Sequence, residues 1–137
     1  AGREHLRVSC AAASFAPGLV AMAPTLRRTD VLIGPHGADL VNALGLHAGA
    51  SVLEVLPVHK GGCPCGVFQN LFAMERRVFH YTASSNNASY ATSRERGLAG
   101  TFHSDLVLPP VVLEAALSHV LRVGGELSAY RFRSFAY

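Results

Sequence analysis

The sequence predicts an α/β fold: a Rossmann-like parallel sheet with flanking helices. Three observations carry the prediction. Val31-Leu32-Ile33 and Ser51 to Leu56 are apolar, β-branched runs of the kind that form strands buried on both faces of a parallel sheet. Between them, Ala38 to Leu46 repeats apolar residues at helical spacing. The series strand, turn, helix, strand closes between Val31 and Pro57, the compass of a βαβ unit, which crosses over right-handedly and keeps its strands parallel.

The elements follow in chain order. Leu6-Arg7-Val8 is a short strand candidate. Pro17 to Arg28 reads as a helix, with Pro in its first turn, apolar Leu19, Val20, Met22 and Leu26, and Arg at its end. Thr29-Asp30 ends it, Val31 to Ile33 is the first buried strand, and Gly34-Pro35-His36-Gly37 is a turn. The next helix runs from Ala38 to Leu46 on Leu40, Val41 and Leu44 with small Ala43 and Gly45, and Gly49 stops it. Ser51 to Leu56 is the second buried strand. His59 to Gly66 is a loop rich in Gly and Cys, Val67 to Glu75 a short helix, and Val78 to Tyr81 a third strand. Ala83 to Gly100 is polar and without period, which reads as a long loop. After Leu106-Val107-Leu108 and Pro109-Pro110 comes an amphipathic helix, Val111 to Val123, whose expected inner face is Leu113, Ala116, Leu117, Val120 and Leu121. Gly124-Gly125 stops it. No repeat and no linker divides residues 1–137, which read as a single domain.

Half of the 137 residues are hydrophobic and 15% are charged, the balance of a chain that buries a core. The absence of Trp and the abundance of Ala predict a core of small and branched aliphatic side chains. A net charge of +3, from arginines dispersed along the chain, forms no basic stripe and excludes a nucleic-acid partner while leaving single phosphate groups open. The three cysteines match no disulfide framework or zinc ribbon, and Cys63-Pro64-Cys65 reads as a loop feature. Val8 to Leu26 is uncharged and nearly long enough to span a bilayer, but Pro17, Gly18 and Pro24 break it. It reads as buried segments of a soluble domain, with no membrane span in this chain. Ala1 to His5 has the character of protein interior and no Met precedes it, so a fragment of a larger protein is expected, with any targeting segment or anchor upstream.

The segment that carries chemistry is Asp30 to Asn42. In parallel α/β sheets ligands bind at the carboxyl ends of strands, where the turn at His36-Gly37 falls. Gly37 and Ala38 open the following helix with almost no side chain, so their N–H groups are approachable by an anion such as a diphosphate. His36 could donate to a phosphate oxygen or to a leaving group. The plainer alternative is a tight turn in which Gly37 serves backbone freedom and His36 lies half exposed.

Asp30-Val-Leu-Ile-Gly-Pro-His-Gly-Ala38, followed by Leu40, Asn42, Leu44, Gly49-Ala50 and Val52-Leu-Glu-Val-Leu-Pro57, resembles the signature of glycosyltransferase family 61. The resemblance implies an inverting glycosyltransferase of the GT-B type, of which this chain is the carboxyl-terminal, nucleotide-sugar-binding half. The expected donor is a nucleotide diphosphate sugar, UDP-linked, and the acceptor a hydroxyl of a glycan or of a protein Ser or Thr. By the same resemblance His36, Gly37, Ala38 and the neighbouring Asp39 line the donor diphosphate, Asn42 supports the motif helix, and Glu54 either lies near the nucleotide ribose or braces the site. Arg94 and Arg96 belong to an ordinary solvated loop on the plainer reading and are otherwise candidates for a phosphate clamp. No metal or other cofactor is expected, the nucleotide sugar being a substrate. A metal site on His36, Asp39 and His47 is disfavoured because His47 falls at the far end of the helix. The catalytic base is unassigned, residence in the Golgi or endoplasmic reticulum lumen is implied, and Asn87-Ala88-Ser89 is a glycosylation sequon in keeping with it. One position departs from the family: Asp39 stands where Gly is usual, placing negative charge near a diphosphate. That departure keeps open an alternative, a non-catalytic nucleotide- or sugar-binding module on the same fold.

Overall fold

The computed structural model describes residues 8–56, 66–75, 77–84, 91–92 and 105–136. Its elements are α1 (Leu19–Leu26), β1 (Val31–Pro35), a 3₁₀ helix (Ala38–Gly45), β2 (Ser51–Val55), α2 (Gly66–Glu75), β3 (Phe79–Ser84), β4 (Ala91–Thr92), β5 (Asp105–Leu106), α3 (Pro110–Val123) and β6 (Arg133–Ala136). Strands β1, β2, β3 and β6 form one sheet in that order, and each neighbouring pair is parallel. The chain is thus an α/β protein, as the βαβ pattern predicts. β4 and β5 pair antiparallel, so the region read as loop from Ala83 contributes a strand at Ala91–Thr92. The candidate strand at Leu6-Arg7, the cysteines at 63 and 65, the sequon at Asn87 and the candidate clamp Arg94 and Arg96 lie outside the described residues.

The sheet is covered on both faces. On one side α1, the 3₁₀ helix and α2 bring Leu26, Leu40, Ala43, Leu46, Phe68 and Phe72 against Val52. On the other, Val112, Ala116, Val120 and Val123 of α3 pack on Leu53, Phe79, Tyr81, Ala83 and Phe135. β2 is buried along its whole length, as expected. β1 is not, because among the described residues it is an edge strand of the sheet, and Ile33 stands exposed. Its residues 32, 34 and 36 direct their backbone groups to β2, as the His36 N–H bond to the Val55 carbonyl shows. Residues 31, 33 and 35 therefore face the open edge, where the missing N–H of Pro35 costs no ladder bond.

Several details differ from expectation. The stretch from Val8 to Leu26 is largely exposed rather than buried: α1 packs on the 3₁₀ helix at the margin of the sheet, Leu26 alone is buried, and Val20 is 90% exposed. No helix among the described residues is long and apolar enough to cross a membrane. The core is richer in aromatic side chains than composition predicts, Tyr81, Phe72 and Phe79 being its largest fully buried residues. In α3 the inner face is centred on Val112, Ala116, Val120 and Val123, while Leu113 and Leu117 lie at its margin and Leu121 is 46% exposed. The segment from Ala38 is a 3₁₀ rather than an α-helix, and its buried residues, Leu40 and Ala43, with the buried Leu46 just past its end, fall at every third position, the period of that helix. Two turns also meet at their backbones: Gly49 and Gly125, with φ of +87° and +80°, approach so closely that a Cβ on either would lie 3.4 Å from the other's main chain.

A phenol completes the sheet where β6 begins late. The register of β3 with β6 starts at Tyr81 and Arg133, one residue too late to serve His80. The Tyr130 hydroxyl takes the place of the absent rung, accepting from the His80 N–H at 3.3 Å and donating to its carbonyl at 2.8 Å. Burial pushes the Tyr130 hydroxyl up, and the His80 hydrogen bond opposes it. Burial, and then Tyr130, push the buried Tyr81 hydroxyl up to about 12, and that hydroxyl has no hydrogen-bond partner among the described residues.

The two phenols therefore answer the same deletion differently. Tyr130→Phe strands both polar groups of His80 and lowers stability by about 1–3 kcal/mol in urea unfolding. Tyr81→Phe removes a hydroxyl that nothing satisfies and leaves stability at neutral pH equal or higher. Because the folded-state value of Tyr81 is raised, its contribution is intact below the ordinary phenol value of 10.0 and is lost as pH climbs through about 12. That alkaline component is present in the wild type and absent from Tyr81→Phe.

Candidate functional site

Three side chains from three strands or strand ends meet on the α2 face of the sheet. Val52 pairs with His80 and Gly34 with Glu54, and side chains alternate along a strand, so Glu54 and His80 both rise on the side that carries Val52. His36 follows the last residue of β1 and turns over the same face. Glu54 is 0% exposed, and a carboxylate in such a place is tolerated only when its oxygens are satisfied. They are: His36 Nδ1–H donates to Oε1, and His80 Nε2–H donates to Oε2 at 2.7 Å. The neighbours of Glu54 in the sheet are Gly34 on one side and Thr82 on the other.

α2 roofs the group. Phe68 and Phe72, one helical turn apart, stack on each other, and each covers one imidazole. Phe68 meets His36 edge-on at 5.4 Å, and Phe72 lies 5.4 Å from His80, whose ring also stacks on Phe132 at 5.8 Å. The three groups form a line from the interior to the carboxyl end of the sheet: His80 is buried, Glu54 is buried, and His36 is partly exposed. The Nδ1 atom of His80 has no hydrogen-bond partner among the described residues.

Beyond His36 the motif opens outward. The first 3₁₀ bond runs from the Leu40 N–H to the Gly37 carbonyl, so the N–H groups of Ala38 and Asp39 stand ahead of the helical ladder at its amino end. Asn42 Nδ2–H donates to the Asp39 carbonyl at 2.8 Å, tying the first turn to the second. Asp39 is exposed, and no ion pair holds it among the described residues. Gly37 has φ of 172°, an extended conformation open to any residue, so backbone freedom does not account for glycine here. Packing does not account for it either, since among the described residues a Cβ at Gly37 would meet nothing within 4 Å.

The structure thus brings together His36, Gly37, Ala38, Asp39, Asn42 and Glu54. His47 stands apart, pairing through Nε2 with Asp30 at 3.1 Å, and no cluster of potential metal ligands occurs among the described residues. The strand order β1-β2-β3-β6 runs in one direction without reversal, so the site's location rests on the carboxyl ends of β1 and β2 rather than on a switch point. Sequence reasoning missed His80. The signal was the buried Glu54 itself, which demands donors that neighbouring strands must supply. Compared with protein-family models, curated proteins and solved structures, the chain matches none.

Two substitutions separate the inner and outer parts of the site. Gly37→Ala leaves the unfolding free energy within about 0.5 kcal/mol of wild type, as expected of an open position. Glu54→Gln sets an amide N–H against one imidazole N–H, and urea unfolding shows a loss of roughly 1–3 kcal/mol.

Proposed function

We propose that this chain is the donor-binding half of an inverting glycosyltransferase of family 61, which transfers a sugar from a nucleotide diphosphate, UDP, to a hydroxyl of a glycan or protein. The observation that carries the reading is the pairing of an oriented imidazole with an unencumbered glycine turn: His36 anchored on Glu54, and Gly37 free of both strain and packing. The motif's resemblance to the family adds the reaction class. A fold alone would not supply it.

In this reading a diphosphate lies across His36, Gly37 and the N–H groups of Ala38 and Asp39. Held on Glu54 through Nδ1, the ring has its other nitrogen, Nε2, to direct at a phosphate oxygen. Of the two roles open to Glu54, full burial and two engaged oxygens favour the brace over contact with a ribose. The acceptor oxygen bonds to the anomeric carbon as the bond from that carbon to the diphosphate oxygen breaks, and the departing charge is met by the turn. The acceptor proton passes to a base outside the residues named here. Arg94 and Arg96 remain the proposed clamp, and residence in the Golgi or endoplasmic reticulum lumen goes with the same reading.

Asp39 favours the second reading, a binding module that has lost catalysis, because its exposed carboxylate stands in the first turn without a compensating ion pair among the described residues. Calorimetric titration with UDP at low salt tests both. Under the donor-binding reading the wild type saturates, and His36→Ala weakens binding by about tenfold or more, the scale of one charge-assisted hydrogen bond. Under the degenerate reading the wild type binds weakly or not at all and Asp39→Gly tightens it. A folded chain in which neither protein binds rejects the site.

A further inference from the structure

We propose that His80 is a positioning residue for His36, acting through Glu54 and not by touching a ligand. This deepens the donor-binding reading and rests on it for the consequence in affinity, though not for the geometry.

The argument starts from the unpartnered nitrogen. His80 is buried between Phe72 and Phe132, its Nε2 is on Glu54, and its Nδ1 meets no hydrogen-bonding group among the described residues. A proton on Nδ1 would be a buried donor without an acceptor, which is costly. The ring therefore keeps its proton on Nε2, directed at Oε2 of Glu54. Glu54 in turn can only accept on that side, and its side-chain rotation is fixed by the bond. Oε1 is left facing His36 as a second acceptor, so His36 must present Nδ1–H to it. A neutral imidazole in water favours the opposite tautomer, with the proton on Nε2. The arrangement thus imposes the less common tautomer on His36 and fixes the plane of its ring, with Phe68 against the edge.

The backbone of His80 is equally constrained. Its N–H and carbonyl are both taken by the Tyr130 hydroxyl, so the strand cannot slide to relieve the side chain. Thr82, the cross-strand neighbour of Glu54 on the same face, does not stand in for His80, since the two oxygens of Glu54 are held by the two imidazoles. Orientation of the outer ring is thereby set from the interior, two side chains away.

The test uses the full chain, long-range nitrogen–proton NMR of the histidine rings, and UDP titration. The expected wild-type spectrum has the His36 proton on Nδ1 and the His80 proton on Nε2. His80→Phe keeps an aromatic ring between Phe72 and Phe132 but has no N–H to offer. In it His36 becomes a mixture of tautomers and UDP affinity falls about tenfold. His80→Gln restores a donor toward Glu54, and with it the single tautomer and most of the affinity. A wild-type His36 with its proton on Nε2 overturns the proposal, as does an unchanged His36 tautomer in His80→Phe. If His80→Phe does not fold, the wild-type spectrum and His80→Gln decide, and a folded His80→Gln with His36 scrambled overturns it. The ring spectra need no ligand, so a wild type that fails to bind UDP rejects donor binding while the tautomers still judge the role of His80.

Discussion

The buried carboxylate of Glu54 is the constraint on which the carboxyl end of this sheet depends. A carboxylate enclosed in the second strand of a four-stranded sheet is unfavourable unless both oxygens find donors. The donors come from the residue after β1 and from the body of β3, so one polar group joins three consecutive strands through side chains as well as through their ladders. α2, which links β2 to β3, closes over the same group with Phe68 and Phe72. The crossover helix, the strand register and the imidazole at the mouth of the site are thus different consequences of satisfying one side chain.

The 3₁₀ helix acts on the same site from outside. Its three-residue period puts Leu40, Ala43 and Leu46 in one row against the sheet, and Leu40 takes the space beside Gly34 that a side chain there would contest. The tighter coil keeps the motif close to β1, with His36 over Glu54 while the N–H groups of Ala38 and Asp39 stay at the surface.

Much of this was legible in the sequence, and the parts that were not share a physical cause. The parallel βαβ core could be read from Val31-Leu32-Ile33, Ser51 to Leu56 and the turn between them, because composition and turn chemistry there agree. β6 could not: Arg133-Ser134-Phe135-Ala136 buries Phe135 at the end of the sheet and has no apolar run to announce it. Nor could the 3₁₀ helix, since over eight residues periods of three and 3.6 select nearly the same apolar positions. At the site, His36-Gly37-Ala38 and Glu54 were visible as residues. The partner of Glu54 was hidden because its identity depends on the register of Val52 with His80, a pairing between segments far apart in sequence that no local pattern encodes.

The open edge of β1 bears on how the protein behaves when crowded with copies of itself. An exposed parallel edge is a template for intermolecular strand pairing, and its hazard grows with the number of N–H groups it offers in a row. Here the outward positions are Val31, Ile33 and Pro35, and proline leaves just two donors before the chain turns away at His36. A strand arriving from another molecule would find too short a ladder to repay its ordering, despite the apolar side chain of Ile33 beside it. Pro35 thus shortens the ladder at the very end of the strand that lies beside the candidate site.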